Sequence, residues 1–286
     1  KIFYYEIKKF LPEKKVVLIQ NGMRPELFFK KLSEYKNLKV DYLFTFSDFY
    51  TSQYKKYIDG KFITIGSFKN NLIKKKNDTK NNSVLFISSG PLSKKNMDIF
   101  QKTNLKSRDY FSPEKSLIPT ILNYSTKNNL DFKILARSKS DKNFEYEKKF
   151  YQETIPRTNF DFISTFEWDK CYKIIDNSKL VVSIYSALGL ESIARGNRTV
   201  IFNIRDKITK TGSLKLFWSN NKLDAKGPFW TDEITKNEVE RVLEFALTSS
   251  DLEWKKSLNT VIPFIIKYEQ ENESFKKILK TLEKTL

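Results

Sequence analysis

The chain contains no histidine, one cysteine, 8 glycines and 8 prolines among 286 residues, and each scarcity removes a class of chemistry or fold. Without imidazole there is no Ser-His-Asp or Cys-His nucleophile, no His-ligated zinc and no histidine general base. Acid–base work falls to carboxylates, Tyr or Lys with displaced pKa values. The lone Cys171 allows neither an internal disulfide nor a thiolate cage, so packing has to hold the fold. Scarce Gly and Pro, with 40% hydrophobic and 30% charged residues, exclude collagen-like, low-complexity and largely disordered chains. Long apolar runs are missing too. The densest, Val16 to Ile19, Leu180 to Tyr185 and Val261 to Ile266, are strand-sized and far short of the ~18–20 residues that cross a bilayer. The sequence starts at Lys1 with neither an initiating Met nor a signal-peptide pattern, which predicts a cytoplasmic chain or a fragment of one.

Arginine is also rare, at eight of the 52 basic residues, although the formal net charge is +18. Clustered Lys and Arg would suit nucleic acid. Here the lysines scatter, and their abundance alongside Asn, Ile, Phe and Tyr is the signature of AT-rich coding, so a solvated basic surface is preferred to a nucleic-acid partner. Diffuse Lys leaves peripheral association with an anionic inner membrane open.

Short β-branched or aromatic runs alternate with amphipathic segments, which predicts parallel strands joined by crossover helices. After a helix over 2–11, strands are expected at 16–19, 42–46 and 62–65, with helices at 25–35 and 49–57. Residues 69–82 lack apolar periodicity and read as a linker. The alternation restarts with strands at 84–88, 132–136, 160–164, 180–185 and 199–203. Helices fall between them, the first opening at Ser112–Pro113–Glu114 and carrying Pro119 as a kink or late start. Residues 206–232 read as an aromatic loop, followed by helices at 236–248, 251–259 and 264–284. The fold class is therefore α/β, with two Rossmann-like doubly wound domains. Residues 1–82 form an incomplete first domain with its linker, and residues 83–286 a complete second domain with C-terminal helices.

The most informative stretch runs from Leu180 to Gly196. A buried strand ends in a Ser-containing turn that opens into a helix, so the N–H groups of Ala187, Leu188 and Gly189 and the helix dipole favour an anion there. Ser186 either caps that helix or bonds a phosphate oxygen. Gly189 omits the Cβ that would keep a ligand off the first turn. Glu191, one turn on, either accepts from a ribose diol or is a solvated carboxylate, and Gly196 reads as a plain helix stop. Ser88, Ser89 and Gly90 end the first strand of the second domain, where the switch-point rule places ligands, though an ordinary turn explains them equally. Arg137 follows the next strand, suited to gripping phosphate or to a surface ion pair. Asn21, Gly22 and Arg24 hold the matching edge of the first domain, either as acceptor or donor contacts or as plain turn chemistry. Glu26 and Asp48, near its strand ends, are the candidate bases. Phe229 and Trp230 either stack on a base or sugar or pack on the core. No carboxylate pair is spaced as a metal motif.

Taken together, the strand, Ser-x-x-Ser, Gly-x-Glu and Arg-Gly of 180–196 resemble the nucleotide-sugar half of GT-B glycosyltransferases. The likeness is greatest to bacterial surface carbohydrate (O-antigen or capsule) biosynthesis proteins. Ile19–Gln20–Asn21–Gly22–Met23–Arg24, Ile65–Gly66–Ser67–Phe68–Lys69–Asn70–Asn71 and Gly227–Pro228–Phe229–Trp230–Thr231 extend the resemblance over nearly the whole chain. It implies two domains facing across a cleft, a nucleotide-sugar donor on the C-terminal one and a glycan or lipid-linked glycan acceptor on the N-terminal one. It also implies metal-independent transfer with neither a bound metal nor a cofactor, since helix N-termini and basic groups can stabilise a departing phosphate, and the lack of a metal-motif carboxylate pair agrees with this. Ala187 stands where such proteins commonly place Thr, removing one hydroxyl from the phosphate turn. Only about 80 residues precede the second domain, fewer than a Rossmann-like domain of roughly 100 or more requires, so the first strands are expected to be missing. Within the same fold a sugar-nucleotide epimerase or a glycerophosphate-type polymer transferase stays open. Outside it, a non-catalytic basic protein that binds nucleic acid or membrane does too.

Overall fold

Apolar runs of two to eight residues, most of them followed by a helix, fold as parallel strands in the computed structural model. It describes residues 2–24, 26–75, 80–90, 111–156, 158–164, 167–184, 186–205 and 223–283, by which the elements are numbered here. Contacts divide the described chain into two units. The first holds residues up to 75 and from 258 onward, and the second holds 80–205 and 224–257.

The first unit begins α1 (Ile2–Phe10), β1 (Val17–Ile19), α2 (Glu26–Leu32), β2 (Leu38–Thr45), α3 (Asp48–Tyr54), β3 (Ile58–Thr64) and α4 (Phe68–Leu72). Its three strands are parallel in the order β1-β2-β3. Gln20 closes the end of β1 against β2: its Oε1 accepts from Phe46 N at 3.0 Å and its Nε2 donates to Gly22 O at 2.9 Å. The stretch expected to be a linker instead opens as α4.

The second unit contains β4 (Asn81–Ile87), α5 (Ser112–Lys127), β5 (Asp131–Leu135), α6 (Asp141–Thr154), β6 (Asp161–Ile163), α7 (Lys170–Asn177), β7 (Ser178–Ser183), α8 (Ala187–Ala194), β8 (Thr199–Phe202), β9 (Trp230–Thr231), α9 (Lys236–Thr248) and α10 (Asp251–Asn259). All six strands are parallel in the order β6-β5-β4-β7-β8-β9, which counted from β4 is 3-2-1-4-5-6, the Rossmann order. Right-handed crossovers put helices on both faces of such a sheet, so the central strands carry unbroken apolar stretches, Val84 to Ile87 in β4 and Leu180 to Val182 in β7. Val84, Leu85, Phe86, Leu180, Val181 and Val182 are fully buried, each such side chain contributing roughly 1.5–3 kcal/mol. Helix α5 runs unbroken through Pro119, which is exposed, while Leu117, Ile118 and Ile121 pack inward. The sixth strand, β9, falls in the segment expected to be a loop. Gly227 N donates to Trp230 O at 2.9 Å, and a Cβ on Gly227 would lie 2.1 Å from the Trp230 ring, so only Gly fits this turn. Phe229 and Trp230 are buried, with Phe229 4.9 Å from Trp254 between ring centroids, and core packing rather than ligand stacking accounts for them.

The C-terminal segment differs from expectation in form and in allegiance. Two 3-10 turns, Ile262–Phe264 and Gln270–Asn272, precede α11 (Glu273–Glu283), because Glu271 and Asn272 take positive φ of 61° and 53° and stop a single helix. Asn71 explains the bend: its Nδ2 donates to Ile65 O and to Asn272 Oδ1, and its Oδ1 accepts from Glu269 N. Lys267 N donates to Phe46 O, and at Gly66, where φ is 85°, a Cβ would lie 1.8 Å from Lys267 O. Residues from 258 on are thereby counted with the first unit, whereas the sequence reading put all of 83–286 in the second. Among the described residues no helix is long and apolar enough to cross a membrane.

Candidate functional site

Register fixes which predicted residues share an edge. Ile87 of β4 lies opposite Leu135 of β5 and Ser183 of β7, so the three strands end level. The chain turns to opposite sides after β4 and β7, which makes their carboxyl ends the topological switch point. Ser88, Ser89, Gly90, Arg137, Ser186, Ala187, Leu188 and Gly189 therefore all stand at one edge of the second unit. Their side chains do different things there.

At the mouth of α8, Ser186 is the N-cap: its Oγ accepts from Leu188 N at 3.2 Å, and its carbonyl accepts from Gly189 N at 3.1 Å. Three bare amides were expected, and two of them are satisfied by Ser186 itself. Ala187 N–H and the Ser186 hydroxyl proton are the donors left at this exposed turn. Gly189 is buried, and its Cβ would lie 2.6 Å from the Ser183 side chain, so the missing side chain serves close helix–strand packing rather than ligand approach. Gly196, with φ 79°, ends α8 as expected, and Asn197 N donates back to Ser192 O at 3.1 Å.

Glu191 is buried, at 8% exposure, which sets aside the solvated-carboxylate reading. Tyr172 OH donates to its Oε2 at 3.0 Å. Burial and then the Glu191 charge hold the Tyr172 phenol above its ordinary range, and the same two causes push the neighbouring Cys171 thiol up to about 12. Lys139, in the turn after β5, acts on that thiol in the opposite sense. The Arg195 guanidinium lies 5.6 Å from the Tyr172 ring centroid and pairs with Asp176 through Nε at 2.8 Å, tying the end of α8 to α7.

Ser88 and Ser89 point inward. Ser88 Oγ donates to Glu147 and meets Tyr151 OH at 2.7 Å, while Ser89 Oγ donates to Glu114 Oε1 at 2.9 Å and accepts from Arg205 Nη2 at 3.0 Å. Glu114 and Glu147 are fully buried. Burial holds the Glu114 carboxyl above its ordinary range against the pull of Arg205, with which it pairs. Glu114, in the first turn of α5, is thus turned into the core. Gly90 N donates to Ser88 Oγ at 3.1 Å, completing a locked turn. Arg137, in contrast to Ser88 and Ser89, points out: its side chain is exposed and its guanidinium has no acceptor among the described residues.

In the first unit, Arg24 Nη2 donates to Asn21 Oδ1 at 2.8 Å and its guanidinium sits 5.0 Å from the Phe28 ring centroid. Both line a cavity of about 430 Å³ whose other walls include Leu18, Val40, Leu43 and Tyr54. Asp48 opens α3, exposed, and accepts from Thr64 Oγ1 at 2.7 Å. Glu26 begins α2, and its side chain lies outside the described residues.

Sequence reasoning missed Glu147, Arg205 and Tyr172. A signal existed for the first: Phe144, Glu147 and Tyr151 share one face of α6 at helical spacing, so a carboxylate sits on an otherwise aromatic stripe, with Glu147 and Tyr151 buried.

The profile of a family described as "putative O-antigen biosynthesis protein" matches residues 17–283. No curated protein matches the chain in sequence. Among solved structures, a chain of the Glycosylation Associate Protein complex of Streptococcus agalactiae is 11% identical with a TM-score of 0.53, over 94% of this chain and 50% of that one. The UDP-GlcNAc 2-epimerase of Neisseria meningitidis, solved with UDP-GlcNAc bound, is 14% identical with a TM-score of 0.53, over 99% of this chain and 71% of that one. The present chain thus spans half the length of the first. These likenesses establish the shared GT-B-like fold of Rossmann-like units.

Proposed function

Since the chain belongs to the O-antigen biosynthesis family whose profile it matches, we propose that it is a glycosyltransferase of surface polysaccharide (O-antigen or capsule) assembly. In this reading the second unit holds a nucleotide-sugar donor and the first takes a glycan or lipid-linked glycan acceptor. The observation that carries it is the 3-2-1-4-5-6 sheet whose switch point is flanked by the Ser186–Ala187 turn, Glu191 and Arg137. Ala187 N–H, the Ser186 hydroxyl and the positive end of α8 meet a phosphate oxygen, and the Arg137 guanidinium meets a second. Glu191, already oriented by Tyr172, accepts from a ribose hydroxyl. A departing nucleotide is stabilised by these donors without a metal, so chelator leaves turnover unchanged. Asn21 and Arg24 contact the acceptor, and Asp48 or Glu26 takes its proton if transfer inverts the anomeric centre. The reaction runs in the cytoplasm, where the lysine-rich surface favours the anionic face of the inner membrane.

The test is calorimetry with UDP-, GDP-, dTDP- and CMP-linked sugars. One of them binds, and Glu191→Ala weakens that binding about tenfold, the effect of losing one or two hydrogen bonds to a charged acceptor. Unchanged affinity in the variant removes Glu191 from the site. The fold likeness to an epimerase bound to UDP-GlcNAc supports a second reading, sugar-nucleotide epimerisation. Nucleotide release that depends on added acceptor supports transfer, and turnover of donor alone supports the second reading.

A further inference from the structure

We propose that Glu147 is a positioning residue for the anion-binding edge of the second unit, and that the group it positions is Arg137; the inference rests on the nucleotide-sugar reading. Glu147 lies on α6 with its carboxylate fully buried. Its Oε1 accepts from Ser88 Oγ and from Arg137 N at 2.9 Å, and its Oε2 accepts from Ser138 N at 2.9 Å and from Ser138 Oγ. Both oxygens are doubly occupied, so the carboxylate is saturated by protein and presents no lone pair to a ligand. Burying such a charge is expensive, and a well-packed apolar residue on the aromatic face shared with Phe144 and Tyr151 would serve stability as well or better. What an apolar residue cannot do is hold two successive amides of the turn after β5 and, through Ser88, join them to the end of β4.

Among the described residues, the turn held in this way carries the one arginine whose guanidinium has no protein acceptor. Among the described residues Arg24, Arg195, Arg198, Arg205 and Arg241 each donate to a protein acceptor. The Arg137 guanidinium, exposed at the carboxyl edge, donates to none. Its own amide is fixed by Glu147, so the guanidinium starts from an anchored Cα at the level where β4 and β7 end. Lys139, also exposed, follows two residues later and adds a second positive charge to this turn. A planar fork on a rigid turn matches paired phosphate oxygens and loses less freedom on binding than one on a loose loop. The ligand group is the diphosphate of the donor.

The experiment is a double-mutant cycle by calorimetry on the full chain, with UDP and inorganic diphosphate as probes. Arg137→Ala weakens UDP about tenfold, and Glu147→Gln does the same, because a Gln amide cannot accept from both turn amides. In the Arg137→Ala background Glu147→Gln adds less than about twofold, since the group it positioned is gone. If Glu147→Gln lacks a cooperative thermal transition, Ser138→Ala replaces it, with a loss of about two- to threefold that again vanishes in the Arg137→Ala background. Equal losses in both backgrounds, or wild-type affinity in Glu147→Gln, overturn the positioning role while leaving the nucleotide reading intact. A wild-type protein that binds neither probe nor any nucleotide sugar overturns the reading and this inference with it.

Discussion

At the carboxyl ends of the three-stranded sheet, Asn21 and Arg24 hold each other and Asp48 holds Thr64, all at or near the surface. Under the six-stranded sheet, Ser88, Ser89 and Ser138 are turned away from solvent onto two fully buried carboxylates. The first edge is closed by one glutamine amide and walls a mostly apolar cavity, and the second is fixed by ionised groups that cost much to desolvate. The contrast separates two ways of shaping a strand end. One leaves its polar groups to adapt to what arrives, and the other commits most of them beforehand and exposes only a few.

The largest expected effect breaks the second edge. Arg205→Met leaves Glu114 buried without its cation and lowers the unfolding free energy of that unit by about 3–5 kcal/mol, read by denaturant titration of Trp230 and Trp254 fluorescence. An effect below about 1 kcal/mol removes the ion pair as a support of the turn. The same carboxyl gives a pH signature. Its folded pKa is raised above the ordinary 4.5, so the stability it contributes is full below that value and is lost as pH rises through the folded pKa. Glu114→Gln flattens this part of the stability curve, and a slope equal to wild type assigns it to another group. A smaller effect belongs to the first unit. Gly66→Ala forces a Cβ onto Lys267 O at a positive φ and destabilises that unit by about 1–3 kcal/mol, visible as faster amide exchange along β2 and α4. The smallest is Asp48→Asn, which keeps an acceptor for Thr64 at the surface and shifts the melting temperature by less than about 2 °C. If Asp48 is the base, turnover in that variant falls by about 100-fold or more with Tm unchanged, and full activity excludes it.

Much of the second unit was legible because its strands are continuous apolar runs and its helices repeat at 3.6 residues, as in β7 and α5. Strand β9 was not, since two residues behind a Gly-Pro turn carry no period of their own. The bend before α11 was hidden for a different reason: its cause, Asn71, lies 201 residues away from Asn272. At the candidate site the sequence placed Ser88, Ser89, Arg137 and Ser186 just beyond the carboxyl ends of their strands, because strand ends can be read from pattern. It left their orientation undecided, because the partners that turn Ser88 and Ser89 inward, Glu147 and Glu114, are 59 and 25 residues distant. Gly189 was assigned a ligand-facing purpose for the same reason, its neighbour Ser183 being invisible until strand and helix are packed together.

The clamp that Lys267, Glu269 and Asn272 make on Phe46, Asn71 and Phe68 has a consequence for biosynthesis. A ribosome delivers β1 to β3 early and their fastening residues only some two hundred codons later, at roughly 5–20 residues per second. Throughout that interval the nascent α/β unit in the middle has everything it needs to fold, whereas the opening sheet waits. A stop codon placed just before Val261 would therefore spare the later-made unit and injure the earlier one.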